Sequence, residues 1–266
     1  MTDTNKAMTY GDYLGLDQLL SAQHPASSHH DELLFIIIHQ TKELWLKQII
    51  HELKLSRELI RADSPETSYK SLARVSRIQA VMTLSWDVLT TLTPSDYSSF
   101  RDVLGSSSGF QSAQFRQVEY LLGLKDGAFL RFQDEGSEGR AGLVEALRQP
   151  SLWDEANAAL ARAGFDLPPH VLERDWTLSY QPSAEVEAAW AEVYRDTGRW
   201  WALYQLAEKL VDVDEAFATW RHKHVTTVER VIGLKRGTGG TSGVAYLQST
   251  LGKRAFPELW SLRTLL

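Results

Sequence analysis

The chain has 266 residues, 43% of them hydrophobic, which is enough to bury a sizeable core in one large domain or two small ones. Its net charge of -6 comes from acidic and basic residues spread along the sequence, so no basic stripe favours nucleic acid as a partner. The absence of cysteine excludes disulfides, iron–sulfur clusters and thiolate-ligated metals, and it fits a reducing cytoplasm.

The N-terminus carries no signal for export. It begins Met1-Thr2-Asp3-Thr4 and lacks the basic and apolar regions of a signal peptide. The longest unbroken apolar run, Leu33 to Ile38, is far too short to span a bilayer. We therefore expect a soluble, cytoplasmic protein that has no membrane partner.

Two long segments without glycine or proline each predict a long helix. The first begins near Ser28-His29-His30-Asp31, ends before Pro65 and is on the order of 45 Å long. Its early turns, 33–38, are apolar all round, which is typical of a helix buried among others. The second helix is predicted from Glu66 to Leu92.

A short helix is predicted to follow. Pro94 restarts the chain, Ser95 is the expected N-cap, and the helix should run to Leu104 before a Gly-Ser turn breaks it.

The rest of the chain continues the helical pattern and shows no sustained alternation typical of strands. Further helices are predicted at Gln111 to Leu124, Gly142 to Leu147, Leu152 to Ala163, Ala184 to Val211 and Val213 to Leu234. The predicted fold is all-α, with a single domain over 1–266. Within it, 126–182 is expected to be a looser helical insertion, because its prolines and glycines interrupt it while four aromatic side chains need burial, namely Trp153, Phe165, Trp176 and Tyr180.

The last predicted helix carries a histidine on its apolar face. At about 3.6 residues per turn, His224 falls on the same face as Val213, Phe217, Trp220, Val228 and Val231, while His222 is rotated outward. An imidazole among such neighbours is costly unless its nitrogens find partners. A metal ion and a backbone carbonyl are both possible partners, and this helix alone does not decide between them.

Two further pairs of residues have the spacing that places them on one helix face. His39 follows Phe35 by four residues, and its imidazole forms either a structural hydrogen bond or a polar contact to a bound ligand. Tyr97 and Arg101 have the same spacing and present a phenol and a guanidinium, which together suit a carboxylate. The alternative for this second pair is a solvated helix face.

A loop rich in glycine and hydroxyl groups, Gly237 to Gly243, follows the last helix. Glycines let a backbone approach a ligand closely, and hydroxyls with free amides suit an anion or an ammonium group. The loop lacks the Gly-Lys-Ser/Thr ending of a nucleotide-binding loop. It is either a flexible connector or a lid that closes over a site.

The histidine spacing argues against a site that holds a metal through several protein ligands. No His-Glu-x-x-His sequence occurs, and His29-His30 has no second carboxylate–histidine cluster to complete a two-metal site. A single inward imidazole suits a cofactor that brings four equatorial ligands of its own. That cofactor is haem, with the histidine as proximal ligand.

The chain carries several separated motifs in a defined order. They are Tyr10 to Leu14, His30 to Gln40 followed by Glu43-Leu44-Trp45, Phe100-Arg101, Ser108 to Ser112 with Gln114-Phe115-Arg116, and His224 to Gly243. Through these motifs the chain resembles the tryptophan 2,3-dioxygenase family over nearly its whole length. The chain departs from the family pattern at Lys42, where Tyr or Ser is frequent, and at Thr241, where Ser is usual.

The resemblance implies a helical bundle that encloses a b-type haem. It also implies a homotetramer in which the N-terminal segment, 1–22, covers the site of a neighbouring subunit. His224 would be the axial ligand of the haem iron, Trp86 would contact the haem, and His39 would hydrogen-bond the indole N–H of the substrate. The other residues implied to contact the substrate are Phe35, Tyr97, Arg101, Ser108, Gly109 and Thr238, with Tyr10, Tyr13 and Leu14 contributed by a neighbouring copy of the chain.

The implied reaction inserts both atoms of dioxygen across the C2–C3 bond of the indole ring of L-tryptophan and gives N-formylkynurenine, a step of tryptophan catabolism, with ferrous haem b as cofactor. One alternative is a haem-dependent monooxygenase of the same superfamily that forms a 2-oxindole from tryptophan or a substituted tryptophan. Another alternative is a non-catalytic sensor of haem or indole built on the same scaffold.

Overall fold

The computed structural model describes residues 7–266, and within that range it contains helices and no β-strand. The predicted all-α fold is confirmed. The predicted N-terminal covering segment, 1–22, lies partly outside the described residues, since 1–6 are not among them.

The helices differ greatly in length. Two short ones, α1 (Tyr10–Leu14) and α2 (Leu16–Leu20), precede the long α3 (Glu32–Arg61) and α4 (Pro65–Leu89). The short α5 (Pro94–Phe100) continues directly into a 3-10 turn at Arg101–Leu104, and a second 3-10 turn covers Gly109–Gln111. The remaining α-helices are α6 (Ala113–Leu122), α7 (Glu138–Arg148), α8 (Leu152–Arg162), α9 (Pro169–Leu172), α10 (Ala184–Arg195), α11 (Trp201–Ile232), α12 (Val244–Ser249) and α13 (Pro257–Ser261).

Helix α4 lies between the two other long helices. It packs against both α3 and α11, and fully buried side chains such as Leu53, Leu72 and Leu210 fill the space among the three. A helix that buries residues on two sides needs apolar side chains on both, which explains why α4 carries them around much of its circumference. Because α3 bears His39 and α11 bears His224, α4 sets the separation of the helices that carry the two histidines.

The N-terminus of α5 differs from the prediction. Thr93, not Ser95, is the N-cap, and its hydroxyl accepts from the backbone N–H of Asp96 at 3.2 Å. The Asp96 carboxylate in turn accepts from the Thr93 hydroxyl at 2.6 Å and from its backbone N–H at 3.0 Å. Pro94 then occupies the first turn, where its missing N–H costs nothing. This reciprocal cap holds the short helix that leads to Arg101.

The boundary between the last two long elements was also predicted wrongly. We expected a break at residue 212, but α11 runs without interruption from Trp201 to Ile232. The break lies at residues 196–200, where Asp196 caps the end of α10 and Gly198 follows. Val211-Asp212-Val213 contains no helix breaker, whereas a glycine disfavours a helix interior.

Two expectations about burial were wrong. In the early turns of α3, predicted to be buried on all sides, Leu33 and Ile37 are exposed, so one side of the helix faces away from this chain's core. Trp176, which we expected to be buried in the 126–182 region, is 36% exposed. In the same region Trp153 is fully buried and stacks on Trp190 with ring centroids 5.7 Å apart.

A buried carboxylate fastens the C-terminal segment to α11. Asp214 is completely buried and accepts from the backbone N–H of Ala255 at 3.1 Å and from the indole N–H of Trp260 at 2.8 Å. Burial raises the pKa of Asp214, and the hydrogen bonds from Ala255 and Trp260 oppose that rise. The tail is therefore part of the core. None of the helices that the structure describes is long and apolar enough to cross a membrane.

Candidate active site

A cavity of about 680 Å³ opens between α3, α4 and α11, and the 105–109 turn and the loop after α11 complete its wall. It is lined by nine of the residues that the sequence singled out, namely Phe35, His39, Trp86, Tyr97, Arg101, Ser108, Gly109, His224 and Thr238. Tyr10, Tyr13 and Leu14 are not among its lining residues. Tyr10 and Tyr13 are 76% and 75% exposed, and Leu14 is also exposed.

His224 projects into this cavity from the last third of α11, while His222 on the same helix is exposed, as predicted. The part of the His224 side chain that is not buried lines the cavity. Among residues 7–266 neither of its ring nitrogens has a hydrogen-bond partner. Burial lowers the pKa of His224 to about 3, so the imidazole is neutral at neutral pH. A neutral imidazole with both nitrogens free is ready to act as a metal ligand.

Two tryptophans fix the plane of this imidazole. The Trp86 ring stacks on the His224 ring, with centroids 4.5 Å apart and an interplanar angle of 11°. Trp220, one turn earlier on α11, lies at 5.0 Å and is tilted by 44°. Contacts with two large rings leave the His224 side chain little rotational freedom, so its orientation in the cavity is set before any ligand binds.

His39 has a different hydrogen-bonding state. Its Nδ1 lies 2.7 Å from the backbone carbonyl of Phe35, one turn earlier on α3. A carbonyl only accepts, so Nδ1 must carry the proton, and Nε2 of the neutral ring is left as an acceptor. Burial lowers the pKa of His39 to about 4, which keeps the ring neutral at neutral pH. The Phe35 ring packs against it with centroids 4.2 Å apart.

Arg101 and the loop after α11 meet across the mouth of the cavity. The Arg101 Nη2 donates to the backbone carbonyl of Arg236 at 2.7 Å, and the Thr238 hydroxyl donates to the carbonyl of Ser107 at 2.6 Å. A side-chain carbon on Gly239 would lie only 2.7 Å from the Ser108 Cβ, so this close approach requires glycine. The Nε of Arg101 stays unpaired within the described residues, which leaves one edge of the guanidinium free for a carboxylate.

Tyr97 stands one helical turn before Arg101 and is buried in the same wall. Its ring contacts the Phe35 ring at 5.8 Å and the Phe100 ring at 5.5 Å between centroids. Burial raises the pKa of Tyr97 and the positive charge of Arg101 opposes the rise, so the phenol stays protonated and can donate.

The cavity wall contains an unusual number of polar atoms without partners. Buried nitrogen and oxygen atoms that lack a hydrogen bond within the described residues include Lys42 Nζ, Trp86 Nε1, Arg101 Nε, Arg116 Nε, Trp220 Nε1 and Thr227 Oγ1, and all of these residues line the cavity. Buried polar groups are normally paired, and each one left unpaired costs on the order of 1–3 kcal/mol. This wall is therefore built to be completed by polar ligands or ordered water.

Sequence reasoning missed a buried charged network in this wall. Glu119 accepts from Arg116 at 2.6 Å and from Arg221 at 3.0 Å, and all three side chains are buried beside the cavity. Two guanidinium groups against one carboxylate leave a net positive charge. The spacing of Arg116 and Glu119 was visible in the sequence, but the pairing with Arg221 joins residues about a hundred positions apart.

Lys42, noted in the sequence only as a departure from the family pattern, also reaches this cavity. It is 6% exposed, and its Nζ lies 2.8 Å from the centroid of the Trp86 ring. Burial lowers the pKa of Lys42 to about 6.

The residues present fit a haem. No group of three or more His, Asp or Glu side chains in residues 7–266 could hold a bare metal ion, so a metal bound at His224 would need its other ligands from a cofactor. A porphyrin supplies the other four ligands, and its flat apolar ring matches walls made of Phe35, Trp86 and Trp220. Its carboxylates match the positive charge left over in the Arg116–Glu119–Arg221 network.

Comparison with known proteins identifies the family. The family model described as tryptophan 2,3-dioxygenase matches residues 1–142 and 146–266. The chain is 66% identical to tryptophan 2,3-dioxygenase of Caulobacter vibrioides, over 97% of this chain and 98% of that protein. It is 54% identical to the Cupriavidus necator protein of the same name, over 98% and 89% of the two chains, and 53% identical to that of Bacillus thuringiensis, over 99% and 94%. This chain therefore belongs to the tryptophan 2,3-dioxygenase family.

Proposed function

We propose that the protein is a haem-dependent dioxygenase that cleaves the C2–C3 bond of the indole ring of L-tryptophan with dioxygen and gives N-formylkynurenine. The observation that carries this proposal is the pair of neutral histidines facing one cavity, one with an acceptor nitrogen and one with both nitrogens free. The names of the relatives, which match over nearly the whole chain, support the substrate and the reaction class.

His224 would hold the haem iron, and Trp86 and Trp220 keep the His224 ring in place. When bound, the cofactor supplies the activation of dioxygen. Since both oxygen atoms enter the product, no external electron donor is consumed per turnover. The role of the protein is to bind the substrate in one orientation and to exclude competing reactions.

The distal wall orients the indole ring. The free Nε2 of His39 accepts the indole N–H, and the Phe35 ring limits the movement of the bicyclic ring. Because burial lowers the pKa of His39 to about 4, its free Nε2 is only a weak base, and we assign His39 a positioning role and not that of a general base. The C2–C3 bond is then held toward the cofactor. The 105–109 turn, through Ser108 and Gly109, limits the remaining space.

Arg101, Tyr97 and Thr238 hold the amino-acid part of tryptophan. The free edge of the Arg101 guanidinium takes the carboxylate, and the Tyr97 phenol donates to it. The Thr238 hydroxyl, which bonds Ser107 across the cavity mouth, takes the ammonium as an acceptor. The conformation of the loop from Gly237 to Gly243 therefore depends on whether the amino acid is bound.

We also propose a homotetramer in which α1 of one copy covers the cavity of the next. The exposure of Tyr10, Tyr13 and Leu14 supports this, as does the exposed apolar side of α3 that carries Leu33 and Ile37. The molar mass in solution, measured by light scattering, tests the assembly. A monomeric, fully active protein would contradict it.

One turnover experiment tests the function. Haem-loaded protein is reduced without air, mixed with tryptophan and then exposed to dioxygen, and the product is examined by mass spectrometry. The proposal expects a gain of two oxygen atoms and the absorbance of a kynurenine-type product. A gain of one oxygen atom would support the 2-oxindole-forming monooxygenase instead. Binding of tryptophan without any product would support a sensor.

A further inference from the structure

The ammonium group of Lys42 is a buried cation of the cavity wall that the proposed reaction does not use. The side chain is 6% exposed, and its Nζ has no hydrogen-bond partner within residues 7–266. What faces it is the ring of Trp86, with the centroid 2.8 Å from Nζ. A buried ammonium without a carboxylate is costly, so the aromatic face is its main stabilising contact.

The position of Trp86 relates Lys42 to the proposed iron ligand. The His224 ring stacks almost parallel to Trp86 at 4.5 Å between centroids. A nitrogen 2.8 Å from the Trp86 centroid cannot fit between two rings at that separation. The ammonium and the imidazole therefore lie on opposite faces of the same indole ring. Lys42, Trp86 and His224 form one stack that reaches from α3 through α4 to α11.

A cation in this place acts on the two oxidation states of iron unequally. Ferric iron carries one more positive charge than ferrous iron, so a nearby cation destabilises the ferric state more. The interaction is stronger in a buried site than in water. Burial lowers the pKa of Lys42 to about 6, so the ammonium form predominates below that pH, and there the negative face of the Trp86 ring stabilises it.

We propose that Lys42 is a positioning residue that acts through Trp86: its ammonium fixes the indole ring against which His224 stacks, and its charge favours the ferrous state of the bound haem iron. This inference rests on the proposed haem-dependent function. It assigns a role to a cavity-lining residue that the proposed reaction does not otherwise use.

The test is the midpoint potential of the haem-loaded protein, measured by spectroelectrochemistry at about pH 5.5, where Lys42 is mostly charged, for the wild type and three variants. Lys42→Met removes the charge and keeps the length of the side chain. Lys42→Arg keeps the charge. Lys54→Met is the matched control, because Lys54 is on the same helix as Lys42 but pairs with Glu145 at 3.1 Å and does not line the cavity. The iron–histidine stretching frequency of the ferrous protein, from resonance Raman spectra, gives a second readout that does not depend on activity.

For Lys42→Met we expect the ratio of ferrous to ferric protein at a fixed potential to fall about tenfold, which for a one-electron couple lowers the midpoint by about 59 mV. The iron–histidine frequency should shift as well. Lys42→Arg should stay within about threefold of the wild type, and Lys54→Met should not differ from it. If Lys42→Met does not fold, Lys42→Gln, which is neutral and polar, takes its place.

If the neutral variants have the midpoint potential and the iron–histidine frequency of the wild type, the inference about Lys42 is wrong, while the proposed function still stands. Equal shifts in Lys42→Met and Lys42→Arg would also overturn the inference, since the effect would then come from size and not from charge. A wild-type protein that takes up no histidine-ligated haem would contradict the proposed function as well, and that result is distinct from both of these.

Discussion

The two histidines that face the cavity have opposite hydrogen-bonding states, although each projects from a long helix. His39 on α3 donates a hydrogen bond from its Nδ1–H to the carbonyl of Phe35, which leaves Nε2 as a single acceptor. His224 on α11 is held by ring stacking alone and has no partner for either nitrogen among residues 7–266. The first is thus suited to orienting an N–H group and the second to binding a metal. The difference lies in the partners of each ring and not in the residue type.

The largest expected effect comes from removing the imidazole of His224, whose nitrogens have no partner among residues 7–266. We expect His224→Ala to abolish the spectrum of a histidine-ligated haem, because the other histidine that lines the cavity, His39, is on α3 and is held by its hydrogen bond to the Phe35 carbonyl. Absorption spectra of the reconstituted protein measure this. His222→Ala, which removes an exposed histidine of the same helix, is the control and should keep the wild-type spectrum. A normal spectrum in His224→Ala would show that the assignment is wrong.

The next largest effect concerns the mouth of the cavity, where Arg101 meets the loop after α11. We expect Arg101→Ala to weaken tryptophan binding by about 2 kcal/mol, roughly thirtyfold in dissociation constant, because the carboxylate loses a charged partner in a closed site. Binding of indole, which has no carboxylate, should change little. Titration of the ferrous protein with both ligands measures the two constants. Equal losses for tryptophan and indole would point to collapse of the loop that Arg101 holds.

A smaller effect is expected on the distal side. Since the free Nε2 of His39 accepts the indole N–H, the wild type should prefer tryptophan over its N1-methyl analogue. We expect His39→Ala to reduce that preference by about 1 kcal/mol, roughly fivefold, as for one lost hydrogen bond between neutral groups. The ratio of kcat/KM for the two substrates measures it. An unaltered ratio would mean that His39 does not contact the indole nitrogen.

The smallest expected effect is an absence of pH dependence. Burial lowers the pKa of His39 to about 4, so the acceptor nitrogen is free at every pH above about 5 and is lost only as the pH falls through 4. Between pH 6 and pH 8 the KM profiles of the wild type and of His39→Ala should have the same shape. A wild-type KM that rises as the pH falls through 6.5, with no such rise in the variant, would contradict a neutral His39.

The sequence predicted those parts of the fold that depend on local pattern. The long helices and the inward face of α11 follow from residues three and four apart, and so does the placement of Phe35 with His39 on one side of α3. The break between α10 and α11 was also readable at Gly198, but we placed it at residue 212. Exposure of Leu33 and Ile37 was not readable, because an apolar run does not say which neighbour covers it.

What the sequence did not predict in the site depends on pairs that are distant along the chain. The hydrogen bond from Arg101 to Arg236 spans 135 residues, and that from Thr238 to Ser107 spans 131. The placement of Lys42 over Trp86 requires the packing of α3 on α4. No local rule of spacing relates such residues, and each contact exists only once the three long helices have assembled.

The buried Asp214 has a consequence for the end of the chain. A premature stop codon before Ala255 would remove all three groups that donate to this carboxylate, the backbone N–H groups of Ala255 and Phe256 and the indole N–H of Trp260. Asp214 lies ten residues, on the order of 15 Å, before His224 on the same helix. The stranded carboxylate would then draw water into the interior or force α11 to open. We therefore expect a truncation near the terminus to weaken retention of the proposed haem, even though the lost residues do not line the cavity.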